Sequence, residues 1–168
     1  MPRWRMASTR VRDLKALLDR LAAEAEFDEE PTAEEEILRR QAIGGFIAGG
    51  AQLLDEATPF LWAYYHRTAA EFTPEERARY GIPEIPDSAD IWEHVQFRHP
   101  PWWSLGGGPL MPGRSYLSFE GEVSWEPEHG LQLVYEDGQR VCKVSQYDGH
   151  VTVAPAYGDP SLLSVVFG

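Results

Sequence analysis

The sequence predicts an α+β fold, with amino-terminal helices packed on a carboxy-terminal antiparallel β-sheet. Three observations carry that expectation. Apolar residues recur at three- and four-residue steps up to about residue 93 and alternate from about residue 94 onward. Tight turn signals, Asp137-Gly138 chief among them, separate the alternating runs. No helical crossover lies between those runs, and parallel strands would need one.

The elements follow in order. Val11, Leu14, Leu18, Leu21 and Ala25 form one apolar stripe, which predicts a helix from Ser8 or Thr9 to near Phe27. Asp28-Glu29-Glu30-Pro31 ends it. Thr32 and Glu35 then have the spacing of a capping box, in which hydroxyl and carboxylate each satisfy an orphan backbone N–H. The helix they open is expected to run through Ile37, Phe46 and Ile47 toward Leu54. It contains Gly44-Gly45 and Gly49-Gly50, which in a helix point to close approach of another backbone or to a kink, close packing being the favoured reading. Thr58-Pro59 reads as the start of a third helix with an aromatic face of Phe60, Leu61, Tyr64, Tyr65 and Phe72. Thr73-Pro74-Glu75-Glu76 opens a short fourth helix ending near Tyr80-Gly81. Ile82-Pro83-Glu84-Ile85-Pro86 is an extended connector, and Asp87-Ser88 caps one turn through Trp92.

Val95 and Phe97 begin the strands. Pro100-Pro101 and Gly106-Gly107-Gly108-Pro109 bound an expected loop holding Trp102 and Trp103. Leu117, Phe119, Val123 and Trp125 share one side of a long strand, opposite Ser118, Glu120, Glu122 and Ser124, with Gly121 marking a bulge. Leu131 to Tyr135 and Val141 to Tyr147 flank the Asp137-Gly138 hairpin. Val151 to Val153 and Leu162 to Phe167 read as further strands.

A chain of 168 residues is expected to form a single domain over 1–168, its helical part about 8–93 and its sheet part about 94–168. Six Trp, seven Tyr and seven Phe supply large surfaces for a core or an interface. No apolar run approaches the roughly 18 residues of a membrane span. The basic start leads into interleaved Arg, Asp and Lys rather than a signal-peptide core, so a cytoplasmic location is expected. The one cysteine, Cys142, alternates with Val144 and reads as a small buried thiol. The net charge of −12 disfavours nucleic acid as a partner, because phosphate binding needs a basic field. Eight carboxylates between Glu24 and Glu36, and six from Glu120 to Asp137, stand without a single Lys or Arg among them.

The stretch Ser124-Trp125-Glu126-Pro127-Glu128-His129-Gly130-Leu131 concentrates two carboxylates, an imidazole and an indole in what reads as a turn. Such a set is either a polar site for binding or acid–base chemistry, or a rigid corner in which His129 ties backbone groups together. Neither a zinc-protease nor an aspartate-rich calcium motif is present, so no metal site, catalytic set or cofactor is assigned. The candidate binding residues are Trp102, Trp103, Glu120, Glu122, Glu126, Glu128 and His129. Two adjacent indoles cannot both face the core of a strand, so one enters as an exposed interface anchor, with burial of both under the helices as the competing reading; His66, His94, His99 and His150 read as structural histidines.

Tyr116-Leu117-Ser118-Phe119 through Trp125 to Leu131, followed by the Asp137-Gly138 hairpin, resembles an uncharacterised bacterial family of unknown function with a Trp-x-x-Glu-His-Gly-Leu hairpin signature. The resemblance covers about residues 40–150 and departs from the family pattern at Cys142-Lys143-Val144-Ser145. It implies no catalytic residue. Small acidic domains of this kind are similar to bacterial immunity proteins, which neutralise a toxin by binding it. The expected function is therefore an acidic protein-binding module, immunity-like, whose partner is a protein, a basic toxin being the candidate, and neither nucleic acid nor membrane. A small hydrolase or metal-dependent enzyme centred on Glu126, Glu128 and His129 is the rival reading, and a structural or assembly subunit the third. The oligomeric state is left open.

Overall fold

A computed structural model describes residues 32–111 and 115–167. The expected helix over residues 8–27, and the acidic residues before position 32, lie outside the described residues. Helices α1 (Ala33–Gly49), α2 (Ala51–Ala70) and α3 (Pro74–Tyr80) come first. A 3₁₀ turn (Ser88–His94) then leads into strands β1 (Val95–Phe97), β2 (Trp102–Leu105), β3 (Ser115–Val123), β4 (Glu126–Glu136) and β5 (Arg140–Ser145). A short helix α4 (Val153–Tyr157) and a second 3₁₀ turn (Pro160–Ser164) follow. The strands form one antiparallel sheet in the order β1-β3-β4-β5, with β2 also paired to β3, so the fold is α+β as the periodicities imply. No described helix is long and apolar enough to cross a membrane.

The start signals of α1 and α3 act as the sequence implies. Thr32 with Glu35, and Thr73 with Glu76, each complete a reciprocal capping box. The boundary between α1 and α2 differs. The chain breaks at Gly50, whose φ is +53°, and α2 then runs through Pro59 instead of starting there. Thr58 does not cap. Its hydroxyl donates to the Leu54 carbonyl at 2.8 Å and accepts from the Trp92 indole N–H at 2.8 Å. A left-handed glycine ends a helix more decisively than a proline whose missing N–H is tolerated by packed neighbours.

Both helices bury their apolar faces on one side of the sheet. Phe46 of α1 packs on Phe119 and Tyr135, with ring centroids 4.8 and 4.9 Å apart. Tyr135 donates its hydroxyl to the Leu53 carbonyl at 2.9 Å. Tyr65 of α2 pins the proline-rich connector, donating to the Pro83 carbonyl and accepting from the Ile85 N–H. Close backbone approach explains part of the glycine pattern. A Cβ on Gly45 would meet the Asp137 carbonyl at 3.0 Å, and one on Gly138 would meet the Ala42 carbonyl at 1.8 Å. The β4–β5 hairpin thus lies directly against α1. Asp137 and Gly138 both have positive φ, and strand pairing resumes at Arg140, so the loop holds three residues, Gln139 in addition to the Asp-Gly pair.

Four further sequence expectations are corrected. Trp102 and Trp103 lie in strand β2, paired with Ser118 and Leu117, not in a loop. Val153 begins a helix, and Val151 and Thr152 approach it as a bend. Residues 160–164 are a 3₁₀ turn, and only Phe167 bridges to β5, in parallel, at Val144. Cys142 does not share a face with Val144, because a register shift in β5 places Cys142 and Lys143 together opposite Val134. The second sheet face is therefore not merely polar and solvated. Tyr116, Val134, Cys142 and Val151 form a smaller apolar cluster there, and Ser118, Gln132 and Lys143 are fully buried beside it.

Candidate functional site: a polar groove between two bulges

The site grows from two interruptions of the β-ladder that fall on either side of one stretch of β3. On one edge, Phe97 pairs with Gly121 and Trp102 with Ser118, so residues 98–101 stand opposite only Phe119 and Glu120. Pro100-Pro101 supplies the reason, since proline cannot donate to a ladder. On the other edge, Gly121 pairs with Leu131 and Val123 with Glu126, so residues 127–130 bulge opposite Glu122 alone. Glu120-Gly121-Glu122 forms the floor between these walls. The resulting groove, about 200 Å³, is lined chiefly by Gln96, Arg98, His99, Glu120, Glu122, His129 and Tyr147.

The Trp125–Leu131 stretch builds one wall, and its residues divide between structure and exposure. The turn is confined to Ser124-Trp125, the first two residues of the expected corner, and Glu126 already pairs with Val123. The Trp125 ring is buried edge-on to Tyr64 and Tyr65, with centroids 5.9 and 5.7 Å away. Its indole N–H has no hydrogen-bond partner among the described residues. Glu126, not His129, ties the backbone: one carboxylate oxygen accepts from the N–H groups of Glu128 at 2.9 Å and His129 at 3.2 Å. Gly130 turns left-handed at φ +63°, and its carbonyl accepts from the Tyr64 hydroxyl at 2.7 Å. Burial first, and then the charge of Glu126, pushes the Tyr64 phenol above its ordinary value. Glu128 and His129 are left exposed on the finished bulge.

The opposite wall carries Arg98, whose guanidinium meets Glu122 at 3.0 Å and donates to Gln96 at 2.8 Å. Tyr147 closes the far side. Its backbone N–H donates to the His129 carbonyl at 3.3 Å, and partial burial together with the Glu120 carboxylate raises its phenol pKa.

Of the residues singled out from the sequence, the groove unites Glu120, Glu122 and His129. Glu126 lies behind the wall and is spent on backbone donors, and Glu128 is exposed outside the lining. Trp102 packs half-buried on the smaller apolar cluster, and Trp103 half-buried on the main core, because neighbouring strand residues face opposite ways. Neither indole reaches the groove lining. Arg98 and Tyr147 are not among the candidates drawn from the sequence, and His99 reads there as a structural histidine. His99-Pro100-Pro101 held the one usable signal, a histidine beside a forced break in an edge strand. Among the described residues, no group of three or more His, Cys, Asp and Glu side chains is placed to hold a metal ion.

Over residues 4–151 the chain matches the family described as domain of unknown function DUF6985, and it belongs to that family. The match extends well ahead of residue 40, where the hairpin resemblance begins. No curated protein and no solved structure matches the chain.

Proposed function

We propose that this DUF6985 domain is a cytoplasmic, non-enzymatic protein-binding module, immunity-like in the bacterial sense, that receives basic side chains of a partner protein in the groove between the two bulges. One observation carries the reading. The chain's own Arg98 guanidinium already sits on Glu122 at the groove wall, with both side chains more than half exposed. An exposed pair of that kind contributes about 0–1 kcal/mol and is readily exchanged for a competing cation. Glu120 supplies a second carboxylate on the same face, and Tyr147 adds to the lining an aromatic ring of the type whose face guanidinium groups favour. The net charge of −12 speeds encounter with a basic partner.

Hydrolysis centred on Glu126, Glu128 and His129 draws less support. A general base must reach a substrate proton, and Glu126 is occupied by two backbone N–H groups. The test is titration with an arginine-rich peptide at low ionic strength, followed by backbone amide shifts. Shifts confined to Gln96–His99, Glu120–Glu122, His129 and Tyr147, with affinity lowered about tenfold in a Glu120→Gln/Glu122→Gln variant, are expected. Uniform small shifts over every acidic surface, indifferent to those substitutions, would overturn the proposal.

A further inference from the structure

One wall of the groove is the loop after β5, which contributes Tyr147, and a buried ammonium group holds it. Lys143 is 1% exposed, beneath that loop on the second face of the sheet. Its three N–H bonds have three acceptors: the Asp148 carboxylate, the His150 carbonyl at 2.8 Å and the Gln132 side-chain oxygen at 3.3 Å. The same Gln132 oxygen accepts from the Asp148 backbone N–H at 3.4 Å, and its amide nitrogen donates to the buried Ser118 hydroxyl at 3.1 Å. Asp148 also accepts from the His150 N–H at 2.8 Å. A chain of polar contacts therefore runs from the middle of β3 through β4 and β5 into the loop. Tyr147 is the residue immediately before Asp148, and Gln132 pairs directly with Glu120 of the groove floor.

We infer that Lys143 is a positioning residue for the groove: through Asp148 and Gln132 it locks the 146–150 loop so that Tyr147 stands against Glu120 and His129. The inference rests on the groove being the binding surface. Burying an ammonium is costly unless it is fully paired, and an apolar residue of like length would fill the space without that cost. Such a residue would leave the Asp148 carboxylate, the Gln132 oxygen and the His150 carbonyl without their shared donor. The lysine thus fixes a particular loop geometry where a hydrophobic side chain would only fill volume. Being buried, it cannot touch a partner itself.

Lys143→Met and Asp148→Asn would be compared with Tyr147→Ala in the full chain. Asp148→Asn keeps the lysine and serves if the methionine variant does not fold. Two readouts report on Tyr147: exchange of its backbone amide, and titration of its phenol by carbon NMR in tyrosine-labelled protein. The expected result is amide exchange at least about tenfold faster at Tyr147 while Leu133 in β4 stays protected, with the phenol titrating closer to its ordinary value. Arginine-rich peptide affinity should then fall as far as in Tyr147→Ala. Unchanged Tyr147 exchange and titration in both variants would overturn the inference. So would a loosened Tyr147 with full peptide affinity, if Glu120→Gln/Glu122→Gln still lowers affinity about tenfold. Should peptide affinity ignore the glutamate substitutions as well, the groove reading fails while the Tyr147 readouts still report whether Lys143 positions the loop.

Discussion

Gly130→Ala tests how the bulge is closed, and the structure supplies its own control. Gly130 and Gly81 both occupy left-handed backbone, at φ +63° and +70°. An alanine at either position pays the left-handed penalty of about 1–2 kcal/mol, together with a common effect on the unfolded chain. The two sites differ in what the new methyl meets. At Gly81 nothing lies within 4 Å, whereas at Gly130 the Gly121 carbonyl oxygen lies 2.5 Å away. That oxygen belongs to the ladder where Gly121 pairs with Leu131, so relief requires moving β3 or β4. Forcing a methyl into packed backbone costs about 1–3 kcal/mol. Gly130→Ala should therefore be less stable than Gly81→Ala by about 1–3 kcal/mol, which at about 2–4 °C per kcal/mol for a domain this size is a Tm difference of several degrees. Urea unfolding followed by tryptophan fluorescence, with equal m-values in both variants, measures it. Equal stabilities would show that the bulge is not held by the approach of Gly130 to Gly121.

Other outcomes follow from neighbouring residues. Trp125→Ala should cost about 3–5 kcal/mol in denaturant unfolding, since it empties a buried indole site between two tyrosines. His129→Ala should change stability by no more than about 0.5 kcal/mol, because the imidazole is exposed and Glu126 performs the backbone tie; a loss above about 1 kcal/mol would contradict that division of labour. Burial pushes the Cys142 thiol up to about 12, so a thiol reagent at pH 8 should leave the folded protein unlabelled and react on unfolding. Burial acts to raise the Asp148 pKa, but hydrogen bonds from Lys143 and His150 outweigh it and hold the group below 3.8. Its contribution to stability is accordingly complete above that ordinary value and lost as pH falls through the lower folded value. An acid titration of stability should show a shallower low-pH limb in Asp148→Asn, and an unchanged limb would place the acid sensitivity elsewhere. Association with a basic partner should slow with rising salt, mainly through the on-rate, as stopped-flow measurements would read directly.

Local chemistry was enough to identify some of these elements. The threonine caps of α1 and α3, the switch of period near Val95, the Asp137-Gly138 turn and the bulge at Gly121 depend on residues within a few positions of one another, and the chain itself carries that information. The inward register of Trp125 was legible for the same reason. Where two local signals competed, packing decided: Gly50 rather than Pro59 breaks the helix, and Trp102-Trp103 becomes an edge strand because β3 offers unpaired backbone beside it. The groove was legible only in fragments. Glu120, Glu122 and His129 stood out as polar residues, but Arg98 and His99 join them because two ladders slip out of register on opposite edges of the same three residues. The role of Lys143 was hidden entirely. A lysine in a strand reads as a solvated face, and it is buried here because the β5 bulge turns it beneath a loop whose Asp148 and His150 supply acceptors. Periodicity reports which way a side chain points along its own strand. Which distant segment covers that face, and which partners meet a buried charge there, depends on long-range packing that no local pattern encodes.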